Sequence, residues 1–349
     1  MAGTGQWLTL LDLTSRTDGM GKQLRMAELM SQFNAILTDM PWVESSEMTG
    51  HEFGYRTSVP QGAWRQINAG VPYAKSTTAK ARVGLGMLEA WSQMDVVIAE
   101  RSGDIERARY LEDIGFLEGM SQNLASVVLY GNSVVTPAEF MGLSPFYNTK
   151  NTANALNGAN VIDGGGTGSS NLSIWLICWG ERTIKALYPR GSKAGLHQED
   201  LGTTWPGSDA LGNPFKVYTT HFRQEAGIVP EDWRYGVRIA NVDVTAAGLA
   251  GPSALDLYAT LARAFMYPPT LSQMASGITE TDAPDEAAIG IRPALYTNRT
   301  GRLWFDTQGM RDRNVLLSLT DAAGIVTDYI RGIPLRVVDQ LLTTEAQVV

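Results

Sequence analysis

The feature that most constrains this chain is a helical pattern running from Asp104 to Tyr130. Ile105, Ala108, Leu111, Ile114, Leu117, Met120, Leu124, Val127 and Val128 recur at three- and four-residue steps and form one apolar stripe. Asp104 can cap the start, Glu106 sits in the positive first turn, and Gly131 is placed to end the helix. At ~1.5 Å per residue this is a rod of roughly 40 Å. Such a rod exceeds the usual domain helix and must span the molecule, so the rest of the chain has to be organised along one of its sides.

Just before the rod lies its opposite, the stretch Trp64–Asp95 (WRQINAGVPYAKSTTAKARVGLGMLEAWSQMD). It is rich in Ser, Thr and small residues and has little apolar material of its own to bury. Its stability has to come from lying on something else, as an extended loop or ribbon does. That points to an assembly subunit rather than a self-contained catalyst.

Composition sets the bounds. The 349 residues are 44% hydrophobic, enough for a substantial core in one large or two medium domains. Charged residues are only 18%, glycines number 36, and the net charge is −8. An acidic chain is poorly suited to gripping phosphates, which takes clustered Lys and Arg; enclosing nucleic acid remains open to it. The single cysteine, Cys178, excludes an internal disulfide and fits folding in a reducing cytoplasm. The N-terminus lacks the basic and apolar regions of a signal peptide. No apolar run approaches the ~20 residues of a membrane span.

Read along the chain, residues 1–18 form an arm, and 21–40 a helix ended by Pro41. Residues 50–63 form a strand and turn, and Ser76–Arg82 is extended. Leu85–Val97 reads as strand or short helix. Residues 136–172, with their run Gly164–Gly168, read as loop. Ser173–Trp179 is a buried strand, Glu181–Tyr188 a short helix and Pro189–Gly202 a polar loop. Phe215–Phe222 and Trp233–Val244 are expected to pair as strands. Ser253–Met266 is a helix stopped by two prolines, Ile291–Thr297 a strand and Thr300–Thr307 a short helix. Ile325–Tyr329 and Ile333–Val338 form a last pair of strands around Gly332. The order is mixed α+β, not the strict alternation of a doubly wound sheet.

A search for chemistry finds little. Cys178 lies inside an apolar strand, where a thiol is inert. His51, His197 and His221 have no metal-ligand spacing, and His221 reads as a hydrogen-bonded structural histidine. Gly19-Met20-Gly21-Lys22 resembles the end of a P-loop but lacks its first glycine and the following Ser or Thr. Asp282, Asp285 and Glu286 read as solvated charge, and the glycine run as a flexible surface loop. No catalytic, cofactor-binding or metal site is expected. Two basic segments, Arg182, Lys185, Arg190 and Lys193, and then Arg299, Arg302, Arg311 and Arg313, suit pairing with neighbouring subunits better than contact with DNA. Trp64, Trp91, Trp205 and Trp233 stand in polar surroundings, as interface anchors do; Trp175 and Trp304 read as core.

WRQINAGVPYAKSTT, GMLEAWSQMD and the rod helix together resemble the extension loop and spine helix of tailed-bacteriophage major capsid proteins. IWLICWGERTIKALYPRGSKAGLHQEDLG, DWRYGVRIANVDV, ALYTNRTGRLWFD and GIPLRVVDQLL are similar to segments of podovirus-type members, so the likeness runs from about residue 50 to the C-terminus. The resemblance implies an α+β Hong Kong 97-type capsid fold: an N-terminal arm and helix over 1–49, an extension loop and its base over 50–100, and peripheral and axial domains over 101–349. Glu52–Met94 would be the loop and its base, and Asp104–Tyr130 the spine helix.

The implied function is a major capsid protein that self-assembles, as hexamers and pentamers, into the icosahedral head around double-stranded DNA. It needs no cofactor. The implied partners are copies of itself, a separate scaffolding protein, a portal and a cement or decoration protein. Assembly would take place in the host bacterial cytoplasm and the product would be the virion. Intersubunit contacts would fall on Trp64, Arg65, Ile67, Val71, Tyr73, Lys75 and Lys80. Trp64, Ile67 and Val71 are expected to be buried between chains, and deleting Gly62–Lys80 to block assembly. The weaker alternatives are an encapsulin-like nanocompartment shell, which shares the fold but needs a cargo groove, and a hydrolase built on His221.

Overall fold

Nine consecutive residues, Asn171–Trp179, are buried without exception, and the core is laid around them. A strand covered on both faces shows a continuous apolar run instead of alternation, which is why SIWLICW was legible. The computed structural model describes residues 32, 34–208, 214–245, 255–269, 291–311, 318–322 and 325–349. Expectations for the arm over 1–18, most of the helix over 21–40, the P-loop-like glycines, the acids at 282–286 and Arg313 lie outside the described residues.

In chain order the strands are β1 (Trp42–Glu44), β2 (Gly50–Ser58), β3 (Thr77–Gly84), β4 (Gly86–Asp95), β5 (Val161–Asp163), β6 (Asn171–Trp179) and β7 (Ile184–Tyr188). After them come β8 (Leu196–Ser208), β9 (Pro214–Pro230), β10 (Gly236–Asp243), β11 (Arg292–Thr297), β12 (Ser318–Ala322), β13 (Ile325–Ile330) and β14 (Ile333–Val337). Strand β6 runs antiparallel between β10 and β11. Beyond β11 lie β14, β13 and β12. Beyond β10 lies β5. At Trp179, β6 also meets β7, which takes β1 in parallel and β9 antiparallel.

Strand β9 carries the fold outward. Its end, Gly227–Pro230, continues the core sheet along β7. Its earlier part pairs with β4 on one edge and β8 on the other, making a three-stranded antiparallel ribbon. Seventeen residues at ~3.3 Å each give a strand of about 55 Å.

The rod is the helix Ile105–Tyr130, with the Arg107 backbone N–H donating to the Asp104 carboxylate at 3.0 Å. Its burial is uneven. Met120, Leu124, Ala125, Val128 and Leu129 are buried, whereas Leu111, Ile114 and Leu117 are only half-buried. Gly131 ends it for a reason other than the one expected. Its φ is −50°, so no left-handed cap forms. A Cβ there would sit 2.6 Å from the carbonyl oxygens of Val127 and Phe140. The glycine is required because the chain folds back at Phe140–Gly142, where the Gly142 N–H donates to Gly131 O.

Several sequence readings are corrected. Ile184–Tyr188 is strand, not helix, because the pairing available on both edges and burial of Ile184–Leu187 outweigh local propensity. Leu196–Ser208, read as loop up to Gly202, is a strand whose polar residues belong to an exposed edge. Strands β9 and β10 do not pair with each other: β9 lies between β4 and its sequence neighbour β8, and β10 pairs with β5 and β6. The glycine run is no flexible loop: the N–H groups of Gly164 and Gly166 donate to the carbonyls of Ala240 and Asn241 at 2.7 Å. The segment 136–172 also holds a short helix, Leu143–Phe146, and β5. Leu85–Val97 resolves into β4 and the start of the helix Val96–Arg101. The expected strand turn at Gly332 is present, with Arg331 and Gly332 both at positive φ, as a two-residue hairpin turn needs.

Residues 34–44 enter the core. Ile36 is fully buried, and Asp39 accepts a hydrogen bond from the Tyr296 hydroxyl, which accepts one from the Trp179 indole. Burial, with the Asp39 charge adding to it, holds the Tyr296 phenol well above its ordinary value. At the other end, Glu345 binds four groups at once. Arg238 donates to it at 2.8 Å, Tyr130 at 2.6 Å and Ser173 through its hydroxyl, while the Glu345 N–H donates to Asn171 O. Arg238 and Glu345 side chains are 4% and 6% exposed. Removing one member of such a pair leaves a buried charge without its partner, so Glu345→Ala is expected to cost roughly 3–5 kcal/mol. Urea unfolding of the unassembled subunit measures this. The double change Arg238→Met, Glu345→Leu should recover most of the loss.

Candidate assembly interface

Strands β2 and β3 form a hairpin outside the main sheet, in register from Gly50 opposite Gly84 to Ser58 opposite Thr77. Only its root is packed: Val83 is buried with Leu187 and Val229, flanked by Phe53, Leu85 and Phe146. Residues 54–78 are exposed without exception. Near the tip the Thr57 and Ser58 hydroxyls both lie within hydrogen-bond distance of the Thr77 hydroxyl. The tip itself turns at Asn68, whose φ is +68°. Trp64 and Tyr73 are as exposed as free residues, Ile67 is 92% exposed and Val71 46%. Large apolar side chains grouped on one exposed projection mark a contact surface.

The hairpin is also electrically uniform, a signal the sequence carries openly. From Phe53 to Leu88 the charged residues are Arg56, Arg65, Lys75, Lys80 and Arg82, with no acid among them, in a chain of net charge −8. Lys80 lies 3.8 Å from Glu52 and Arg82 3.1 Å from Glu47, both acids at the root. Arg65 and Lys75 are exposed at the tip.

A groove of about 490 Å³ runs between β4 and the long helix. Its walls are Leu88, Ala90, Leu111, Phe116 and Met120, its floor is opened by Gly115 and Gly119, and Glu89 and Glu112 bring acid to it. A second hollow of about 220 Å³ continues it past Leu88 and Asn123 towards Phe140. Half-buried Leu111 and Phe116 of the rod thus border an apolar channel with acidic edges.

Arg109 fixes the rod to the ribbon. Its guanidinium donates to Asp200 at 2.6 Å and to Thr220 at 3.2 Å, and lies 5.1 Å above the Tyr218 ring. The Arg109 hydrogen bond holds the Asp200 carboxyl below its ordinary value; partial burial opposes this and the Gly202 N–H adds to it. A depressed carboxyl contributes stability above its unfolded value and loses it as pH falls through the folded one. Carboxyl-carbon NMR should therefore place the Asp200 titration below the ordinary ~3.9. Arg109→Ala should return it there.

The basic residues named from the sequence divide. Lys185 faces neither neighbour nor DNA: it is buried, with Nζ 2.7 Å from Glu231 Oε1. The apolar strand that carries it turns it inward, and a carboxylate neutralises it there. Arg299 pairs with Asp339 at 2.7 Å and Arg302 with Asp306 one helical turn on. Arg182, Arg190 and Lys193 are exposed. Of the tryptophans, Trp64, Trp91 and Trp205 stand out from the surface, the last with Lys216 4.8 Å over its ring. Trp233 packs against the core, Trp175 is buried and Trp304 is half-buried. The Cys178 thiol is buried and pushed up to about 12 by burial alone, the opposite of an activated nucleophile. His221 stacks on Trp91 at 4.1 Å, and its Nε2 is 3.6 Å from Glu89, too long for the hydrogen bond expected of it. Among the described residues no cluster of His, Cys, Asp or Glu could hold a metal ion.

The family model for major capsid protein GP7 matches residues 18–349. A search of curated proteins finds no match. Among solved structures, a chain from the cryo-electron microscopy structure of bacteriophage Epsilon15 is 30% identical, with a TM-score of 0.74 and coverage of 100% of this chain and 99% of that one. The bacteriophage JBD30 capsid gives 10% identity, a TM-score of 0.42 and coverage of 98% and 97%. The SrpI encapsulin of Synechococcus elongatus gives 10%, 0.42, and 64% and 92%.

Proposed function

This chain belongs to the GP7 family of major capsid proteins and has the Hong Kong 97-type capsid fold, and from that premise we propose how it builds a shell. The β2–β3 hairpin is the extension loop, and its tip seats on the next copy of the chain, in the groove between β4 and the long helix. The carrying observation is the tip: Trp64, Ile67 and Tyr73 stand in solvent on a projection that buries nothing of its own chain. Two features support the groove as their seat. It is lined by apolar side chains on a rod that its own chain only half covers, and its Glu89 and Glu112 oppose the tip's Arg65 and Lys75 in charge. Repeated head-to-tail, such a contact is heterologous and closes into rings. Rings of five and six then make an icosahedral head around packaged DNA.

The exposed Arg182, Arg190 and Lys193 add contacts to neighbouring subunits. In this reading the long helix with β4, β8 and β9 is the peripheral domain, and the sheet around β6 is the axial domain. A scaffolding protein, a portal and a cement or decoration protein complete the partners. Assembly takes place in the host cytoplasm, and the acidic chain encloses DNA without reading its sequence.

Since β3 begins at Thr77, deleting Gly62–Tyr73 removes the tip and spares both strands. Negative-stain microscopy should then show no shells while circular dichroism and melting of the subunit stay near wild type; normal shells would sink the proposal. Trp64→Ala and Tyr73→Ala should each weaken subunit association by roughly 2 kcal/mol, as interface anchors do. Glu112→Lys should slow assembly and reduce its sensitivity to salt, read by light scattering.

A further inference from the structure

Residues 342–349 lie on the core as a bound peptide does. Among the described residues they join the sheet only through one isolated bridge, Glu345 opposite Asn171. Leu342, Thr344, Ala346, Gln347 and Val349 are exposed, and only Glu345 and Val348 are buried. Such a segment covers little apolar surface of its own, so its order comes from the groups that grip it.

The grip has two centres. One Glu345 carboxylate oxygen accepts from the Tyr130 hydroxyl at 2.6 Å; the other accepts from Arg238 at 2.8 Å and from the Ser173 hydroxyl. The Tyr130 hydroxyl in turn accepts the Leu342 N–H at 3.0 Å. At Val348 the Asn241 amide uses both of its ends: Nδ2 donates to Val348 O at 2.9 Å, and Oδ1 accepts the Val348 N–H at 2.7 Å. Thr149 Oγ1 donates to Val349 O at 2.8 Å.

These gripping groups are also held by neighbours outside the segment. Arg238 donates to Tyr147 O and to Ser173 Oγ, each at 2.9 Å, and its guanidinium lies 5.2 Å from the Trp175 ring centre. Asn241 donates to Asp163, which is paired with Lys150. Asn241 is buried with φ +58°, where the register of β10 against β6 breaks between Ile239 and Val242. A buried residue kept in a rarely populated conformation to aim its side chain is a mark of a binding site. Side chains fixed in advance bind a ligand at lower cost in ordering.

We propose that these residues form a peptide-binding site and that Leu342–Val349 is its ligand carried in cis, docking and undocking as one unit on a core that stays folded. The ligand class is a peptide with a carboxylate side chain and, three residues later, an apolar one. Docked, it joins the end of the long helix at Tyr130 to β6 at Ser173 and to β10 at Arg238 and Asn241. Occupancy of the site therefore sets how firmly the rod is held to the core. The site lies within one chain and does not depend on where the hairpin seats.

Amide hydrogen exchange on the full-length unassembled chain tests the unit. The Glu345 and Val348 amides should share one protection factor, about a hundred-fold above a free peptide and at least about ten-fold below β6. Protection that fades steadily towards Val349 means simple fraying, and protection equal to β6 means an inseparable part of the core; either result overturns the proposal. Asn241→Gly keeps the positive φ and removes the amide. It should lower protection at Glu345, whose own acceptor is untouched, by about ten-fold, and unchanged protection overturns the proposal.

Docking by about a hundred-fold at an effective concentration on the order of 1 mM corresponds to a Kd of about 10 μM in trans. A chain ending at Leu341 should bind the synthetic peptide of residues 342–349 with about that affinity by calorimetry, and regain amide protection over 127–130. The peptide carrying Glu345→Gln should bind at least about ten-fold more weakly, because its bond to Arg238 loses the charge. Equal binding of the two peptides, or none at about 1 mM by a truncated chain with a native circular dichroism spectrum, overturns the proposal. If the truncated chain does not fold, the exchange pattern of the full-length chain decides.

Discussion

Strand β9 has to satisfy two sheets with one backbone. Its last residues lie in the core beside β7, and its earlier ones stand between β4 and β8 with Val217 and Phe222 fully buried. Because a strand is stiff along its length, the ribbon cannot move independently of the core. The long helix is tied to that ribbon through Arg109, Asp200 and Thr220, and to the core through Tyr130 and Glu345. Burial, together with the Glu345 charge, keeps the Tyr130 phenol far above its ordinary value, so it remains a donor. Among the described residues the result is a rigid frame from which the hairpin projects, attached at a small root.

That division suits a capsid subunit. A shell puts the same chain in slightly different surroundings, so most of the subunit must be invariant while a contact element adapts. Here the invariant part has the deep burial and closed polar clusters, and the adaptable part has neither. The residues that would be wasteful in a solitary protein, Trp64, Ile67 and Tyr73 in open solvent, become sensible once a second copy covers them. The same logic explains the charge arrangement, a basic hairpin on an acidic body.

Reading the sequence succeeded where one face or one local rule decided the outcome. The long helix was visible from its stripe and Asp104 cap, β6 from its unbroken apolar run, and the β13–β14 turn from Gly332. It failed where pairing at a distance decided. Ile184–Tyr188 has helical composition but is caught between β1 and β9. The polar stretch after Lys193 was missed for another reason: it folds back on β9, its neighbour in sequence, as an exposed edge whose polar residues hide the strand. Lys185 seemed a surface cation because nothing nearby in sequence announces Glu231, some forty-five residues on, or His51 on another strand.

By itself, then, the sequence determined the mixed α+β class, the rod and the central strand, because each depends on periodicity, composition or a local cap. Only the tertiary structure decided which strands share edges, that β9 joins ribbon to core, that the rod is left half covered beside an acidic groove, and that the root of the hairpin closes on His51, Glu231 and Lys185. Most of those features depend on hydrogen bonds and burial between segments far apart in the chain, where no short window of sequence contains both partners; pairs of consecutive strands such as β8–β9 are the local exception.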